Sequence, residues 1–456
     1  MTVARGQRVA VIGGGIAGLT AAYLLGRSHR VTLFEKEPRL GGNAYSFTPK
    51  PGEPALDVAV AAFGLAGYGN FYALLEELGL PSAACAKSYM SLHDLDTHAG
   101  LYLTPTLKGV AAQRFALVKP RTLASLVNLM SGLRRSQARW ERGELAGATF
   151  AEALDAETKI SGDAKKILLC ALCLMSSMDA PEVLATPAAF FLGKLRRHDD
   201  VISPKAMYSV RCVAGGTRAY VERLGAAIAA SGEIRRGLGV ASVRRRGSGV
   251  VVVDRSGGET SFDHVVFACN ADQALALLAD PSPLETELLS PWRYKEGRVV
   301  VHRDHRSFPA RELIQAYTFL YTDRGGELRT SVNGALWHQP SADPACDYIS
   351  TQHPNFEIRP ELTALDVTLR TPIFDFASIA TIPRLPSLNG RQNTWYCGSH
   401  FGFGLHDDAV SSAMHVAGAL GSPFTRGAVT NAAAYTIKSV LSDVWARSKE
   451  AMGRMS

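Results

Sequence analysis

The feature that most constrains this chain is residues 7–42, QRVAVIGGGIAGLTAAYLLGRSHRVTLFEKEPRLGG. A short apolar run, Val9–Ile12, has the length of a strand. Gly13-Gly14-Gly15-Ile16-Ala17-Gly18 follows it directly and opens an alanine- and leucine-rich helix to about Gly26. The three spaced glycines answer three needs: Gly13 turns the chain sharply off the strand, Gly15 keeps side-chain atoms away from a pyrophosphate, and Gly18 lets helix and strand pack closely. The pyrophosphate then meets the free N–H groups and the positive dipole end of the helix. Glu35 closes a second strand, Val31–Glu35, where a carboxylate can accept hydrogen bonds from a ribose diol. An ordinary glycine turn would not bring strand, helix and acid together in this order. The pattern implies a dinucleotide-binding α/β fold and, taken alone, allows NAD or FAD.

A chain of 456 residues is long enough for about two or three domains. With 46% hydrophobic and 20% charged residues it can bury a large core, which excludes disordered and fibrous classes. The net charge of +7 is mild for this length; it gives no reason to expect a nucleic-acid partner and allows, without requiring, contact with an acidic surface. Seven scattered cysteines do not read as a disulfide framework, so a reducing, cytoplasmic setting is expected. Cys170 and Cys173 form a CxxC inside the apolar run Ile167–Met175, where core packing outweighs a redox or metal role. No apolar stretch reaches the ~18 residues of a transmembrane helix.

After Glu35, the extension Lys36-Glu37-Pro38-Arg39-Leu40-Gly41-Gly42 adds a cation and a second glycine turn, suited to a longer, doubly phosphorylated ligand. With this extension the sequence resembles the FAD-binding flavoprotein superfamily of amine oxidases, phytoene-type desaturases and protoporphyrinogen oxidases. Three further segments carry the resemblance: Val213-Ala214-Gly215-Gly216-Thr217-Arg218-Ala219-Tyr220-Val221, Asn270–Leu275, and Cys397-Gly398-Ser399-His400-Phe401-Gly402-Phe403-Gly404-Leu405-His406-Asp407-Asp408. They look like a bacterial branch of predicted FAD-dependent, amine-oxidase-like oxidoreductases that is often associated with fatty-acyl modification.

The resemblance implies a Rossmann-like FAD-binding domain assembled from the discontinuous segments 1–66, 205–281 and 388–425. It implies an α+β substrate domain with an antiparallel sheet and a helical insertion, from 67–204 and 282–387, and leaves a C-terminal helix over 426–456. It assigns non-covalent FAD to Gly13, Gly15, Ile16, Ala17, Gly18, Glu35, Lys36, Arg39, Gly41, Gly42, Asn43, Val240, Ala268, Gly398, Asp408 and Val410. The residues themselves add detail. Leu56–Val60 reads as a strand, and Asp57-Val58-Ala59 stands where relatives often carry Asp-x-Gly. Thr217 is a candidate helix cap, as is Asp407 or Asp408. Ser261–Ala268 reads as one strand in which His264 is an exposed residue. Arg298–His302, Gln315–Thr322, Arg329–Asn333, Tyr348–Gln352 and Thr368–Thr371 read as strands of the antiparallel sheet. Between them, Leu123, Leu126, Val127, Met130 and Leu133 recur at helical spacing among Arg114, Lys119, Arg121, Arg134, Arg135, Arg139 and Arg142. That stretch is either a solvated surface helix or a basic amphipathic face for a membrane or an anionic lipid.

Flavin chemistry needs no metal and no dedicated nucleophile: the ring accepts hydride, and the protein supplies orientation, a dry pocket and sometimes a base. His400 and His406 in the late loop, Tyr396 on the late strand and Lys295 are the candidates for catalysis. For the two histidines, proton handling and loop stabilisation are equally open; for Lys295 a surface position is the alternative. Phe401 and Phe403 are read as pocket walls. The leading function is an FAD-dependent oxidase, dehydrogenase or desaturase removing hydride from an apolar, fatty-acyl or lipid substrate. A flavin amine oxidase is the runner-up. A structural, non-redox FAD is the third reading, kept alive by Ala59, Asn270 and Ala409 where relatives often carry glycine. Oligomeric state is not legible.

Overall fold

The computed structural model describes residues 5–64, 67–84, 90–103, 111, 120–145, 147–197, 210–247 and 249–426. Cys85, Arg114, Lys119, the segment 205–209 and the C-terminal helix expected beyond Arg426 lie outside the described residues. Along the chain, β1 (Arg8–Ile12), α1 (Ile16–Leu25) and β2 (Arg30–Glu35) are followed by α2 (Gly69–Glu77), β3 (Met90–Asp94), β4 (Gly100–Leu103) and α3 (Pro120–Glu141). Next come β5 (Arg211–Val213), α4 (Thr217–Ser231), β6 (Glu233–Arg236), β7 (His264–Phe267) and α5 (Ala271–Leu277). The last part holds β8 (Arg293–His302), β9 (Tyr317–Arg324), β10 (Glu327–Ala335), β11 (Ile349–Gln352), β12 (Thr363–Ile373), β13 (Thr394–Tyr396) and α6 (His406–Ala419).

Two sheets organise the molecule. The first is parallel, in the order β13-β7-β1-β2-β6, with Val9 opposite both Val31 and His264. Its central strands are apolar on both faces, as a parallel sheet covered on both sides requires: Val9–Ile12 and Val265–Phe267 are all buried. Helices α1, α4 and α6 pack together on one side, and a three-stranded antiparallel sheet (240–246, 249–254, 259–262) lies against the other. The strands of the first sheet come from three separated segments of the chain, so this sheet is complete only when the late strand β13 joins β7.

The second sheet has seven strands, β12-β8-β11-β10-β9-β3-β4, antiparallel apart from the β3–β9 pair. Strands β8 and β12 run longer than the apolar runs 298–302 and 368–371 foretell, because their added residues alternate towards solvent and carry charges such as Glu296. The helical stretch from Pro120 to Arg197 packs on the β9–β10 side. Cys170 and Cys173 are buried free thiols there, whereas Cys212 is disulfide-bonded, a pairing that the scattered spacing does not suggest.

Several local expectations are corrected. Only Leu56–Asp57 forms a strand, paired with Ser46–Phe47, because the Val58 carbonyl turns to accept the Ser350 hydroxyl at 2.5 Å. Thr217 does not cap α4; Asp57 does, its carboxylate accepting the Thr217 N–H at 2.9 and 3.0 Å. Helix α6 starts at His406, and Asp408 folds back to accept the Leu405 N–H at 2.9 Å. The strand expected over 261–268 is split at Asp263, and His264 is buried, its Nε2 3.1 Å from Gln7 Oε1.

Beneath β13, Glu285 is buried with Arg245 2.6 Å away, and it accepts a 2.5 Å hydrogen bond from the Tyr396 hydroxyl. Removing one member of such a buried cluster strands the others. Glu285→Ala is expected to cost about 3–5 kcal/mol in denaturant unfolding; an unchanged midpoint would show that the cluster contributes nothing.

Candidate functional site

The first sheet presents the carboxyl ends of its strands along one edge, and the sequence-predicted cofactor residues gather there. Gly398 follows β13, Ala268 follows β7, Gly13–Gly15 follow β1, and Glu35 ends β2. Gly13 and Gly18 are required by their surroundings. Gly13 has φ +109°, and a Cβ there would stand 2.8 Å from the Ala268 carbonyl oxygen. A Cβ on Gly18 would stand 1.8 Å from the Gly13 carbonyl oxygen, so helix and strand close on each other only through glycine. At Gly15 the same construction meets nothing within 4 Å, which leaves open space beside the first amides of α1.

Glu35 is held ready rather than free. It is buried; its Oε2 accepts the Gly14 N–H at 2.6 Å and its Oε1 accepts the Glu37 N–H at 2.9 Å. Each oxygen keeps a lone pair for a further donor. Leu238 donates its N–H to the Glu35 carbonyl at 3.2 Å, which brings Val240 to the same end of the sheet. Lys36 stays at the rim, its Cβ 3.3 Å from the position a Cβ on Gly239 would take. On the opposite flank the second glycine turn locks onto the first: the Gly41 N–H donates to the Gly14 carbonyl at 2.8 Å, and Arg39 donates to the Gly42 carbonyl at 2.7 Å while stacking 3.9 Å from the Tyr45 ring. Asn43 donates to the Arg370 carbonyl at 2.8 Å. At the far end Ser412 accepts the Gly398 N–H at 3.0 Å, so α6, which carries Asp408 and Val410, is tied to the strand end. The open side of Gly15, the fixed Glu35 carboxylate and the amides of α1 fit the pyrophosphate and ribose of FAD without rearrangement.

Beyond the second glycine turn lies a small cleft of about 50 Å³, between the loop Asp57–Ala62 and the inner face of the antiparallel sheet at Tyr317, Val332, Gly334 and Gln352. Asp57, His338, Gln339, Ser350 and Gln352 in its wall are already hydrogen-bonded within the protein. Asp57 accepts from the Thr217 hydroxyl at 2.6 Å and the Ser46 hydroxyl at 2.8 Å, and Gln339 bonds both its N–H and its carbonyl. Burial raises the Asp57 pKa to about 6 in spite of these donors.

The four candidates for catalysis are not brought together. Tyr396 lies in the Glu285–Arg245 cluster, where burial and then the carboxylate of Glu285 keep its hydroxyl protonated. For Lys295, burial alone would lower the pKa, but Asp179 and Glu182, at 2.6 and 3.0 Å, raise it, so it is a paired ammonium rather than a surface lysine or a base. His400 packs under Gly398 and edge-on to Trp292, with ring centroids 5.4 Å apart. His406 sits at the start of α6 between Phe63 and Phe71, its Nε2 2.9 Å from the Tyr220 hydroxyl. Burial lowers both histidines to about 3, so both are neutral near pH 7. Phe403 is buried against Phe190, and Phe401 lies beside His400. Sequence reasoning missed Tyr220, Gln339, Tyr317 and Gln352. Each acts through a partner more than a hundred residues away or faces a cleft made by another segment, and no local pattern signals that.

Comparison with known proteins agrees with this geometry. The sequence pattern of the family described as flavin containing amine oxidoreductase matches residues 16–344, well over half of the chain. A zeta-carotene desaturase from Zea mays is 34% identical over 83 residues, 18% of this chain and 14% of the desaturase, so the chain matches only a small part of that relative's length. Among solved structures, a CLA-producing fatty acid isomerase from P. acnes superposes with a TM-score of 0.63 at 18% identity, covering 90% of this chain and 98% of the isomerase. A double mutant of putrescine oxidase superposes with a TM-score of 0.65 at 15% identity, covering 92% and 99%. At these identities the two likenesses establish a shared fold.

The open space at Gly15 makes a clean test of cofactor placement. Gly15→Leu is expected to leave the unfolding transition in place, since φ −73° suits any residue. The purified variant is expected to lose its flavin absorbance; retained flavin would contradict the placement of the pyrophosphate.

Proposed function

The chain belongs to the flavin-containing amine oxidoreductase family and is an FAD-dependent oxidoreductase acting on small molecules, and on that premise we propose that its substrate is a neutral, apolar molecule of the fatty-acyl or lipid kind. The observation that carries this reading is the lining of the cleft. Asp57 is the one carboxylate among its described lining residues, and both of its oxygens are taken up by Thr217 and Ser46. An ammonium substrate entering such a pocket would have to share its one counter-charge, Asp57, with the protein donors already bonded to it, whereas an alkyl chain against Val58, Ala59, Val332 and Leu336 gains by burial.

In this proposal FAD is held non-covalently, since the buried Cys397 thiol is raised far above its ordinary pKa by burial and is a poor nucleophile. His406 is the candidate retained for proton handling, because it is the histidine of the late loop hydrogen-bonded to a second titratable group. Tyr396 and Lys295 hold structure.

Lipid substrates also fit the surface of α3. Its carboxyl half is buried at Leu129 and Leu133, but Leu123 and Val127 are 49% and 63% exposed, Arg134 lies on the same face, and no acidic residue occurs from Pro120 to Trp140. We propose that this end of the helix rests on anionic membrane.

Two measurements test these readings. Under anaerobic conditions a long-chain fatty-acyl ester is expected to bleach the flavin band and putrescine or benzylamine is not; bleaching by an amine alone would overturn the substrate class, and bleaching by neither would favour a structural flavin. In co-sedimentation, binding to phosphatidylglycerol vesicles is expected to fall at least several-fold in Leu123→Asp/Val127→Asp; equal binding by the double variant would remove α3 as the contact.

A further inference from the structure

Asp272 lies in the first turn of α5, immediately after the turn 268–270 that closes on Gly13. Its Oδ2 accepts a 2.7 Å hydrogen bond from Arg370 Nη2, a residue of β12 in the antiparallel sheet. The guanidinium of Arg370 stands 5.3 Å from the Tyr294 ring, the Tyr294 hydroxyl accepts the Ala271 N–H at 3.0 Å, and the Arg370 carbonyl accepts the Asn43 side chain at 2.8 Å. Asn43 directly follows the second glycine turn. The two sheets are therefore stitched together at three points around the cofactor edge.

One atom in this seam is out of balance. Asp272 Oδ1 is buried and has no hydrogen-bond partner among the described residues. A buried carboxylate oxygen without a donor is unfavourable, and native structures rarely retain one unless a bound group completes it.

Sheet order says which group that is. The strands run β7-β1-β2, so Glu35 at the end of β2 and Asp272 after β7 flank Gly15 on opposite sides. With the pyrophosphate at Gly15 and the adenosine ribose at Glu35, the other arm of the cofactor leaves towards Asp272, and the first donors on that arm are the hydroxyls of the ribityl chain. We propose that Asp272 Oδ1 accepts a hydrogen bond from a ribityl hydroxyl of bound FAD, with Arg370 orienting the carboxylate from the other sheet. The inference rests on the flavin assignment and is independent of the substrate.

Equilibrium binding to apo-protein, followed by flavin fluorescence, tests it without any turnover. Asp272→Ala is expected to weaken FAD binding about 10- to 100-fold, the range of a hydrogen bond to a charged group. Wild-type protein is expected to lose a similar factor for one of the ribityl-deoxy FAD analogues, and the variant is expected not to discriminate that analogue from FAD. Equal FAD affinity in wild type and Asp272→Ala would overturn the contact, as would an equal loss for FAD and every deoxy analogue in the variant, which would mark a purely structural role. Should Asp272→Ala fail to fold, the wild-type series alone decides: no preference for FAD over any deoxy analogue overturns the contact. Failure of wild-type protein to take up FAD at all would instead sink the cofactor assignment.

Discussion

The closest constraint in the molecule is the approach of α1 to the turn that precedes it. At Gly18 there is no room for a single carbon, because its place is 1.8 Å from the Gly13 carbonyl oxygen. That contact lets α1 lie flat on the sheet with its amino end directed at the strand ends, and it leaves the side of Gly15 open. Everything else on this edge is built against it: the second glycine turn hydrogen-bonds to Gly14, Glu35 is held by the Gly14 amide, and α6 packs on α1. The binding edge and the core are thus one piece of packing.

A second consequence follows from the sheet being assembled from three distant segments. Strand β13 and helix α6 belong to the last part of the chain, yet they complete the edge that the first residues begin. The antiparallel sheet is inserted between these returns and meets the edge through Asn43, Asp272, Tyr294 and Arg370. The cleft and the cofactor edge are therefore linked by side chains from both sheets.

Much of this was legible in the residues. The glycines, Glu35 and the Arg39–Gly42 turn carry their own signal, because backbone conformation and close approach admit few alternatives. The strand cores of the antiparallel sheet were legible from their apolar runs, but the outer halves of β8 and β12 were not, since their charged residues pair without burial. The site beyond the cofactor edge was harder to read. Asp57 was legible only as standing where relatives often carry Asp-x-Gly, and its work as the cap of α4 depends on Thr217 and Gln339, which only folding brings near. Tyr396 and Lys295, candidates by their place on the late strand and before the apolar run 298–302, are each paired with carboxylates from other segments, which no local pattern signals.

A flavin dinucleotide bound without a covalent link along the edge from Glu35 to Gly398 is what the rest of this site is built to hold. The most direct measurement is acid extraction of the purified protein, with chromatographic identification of what is released. One FAD per chain, recovered entirely in the supernatant, is the result expected. A nicotinamide dinucleotide, no nucleotide, or flavin that stays with the precipitated chain would contradict it.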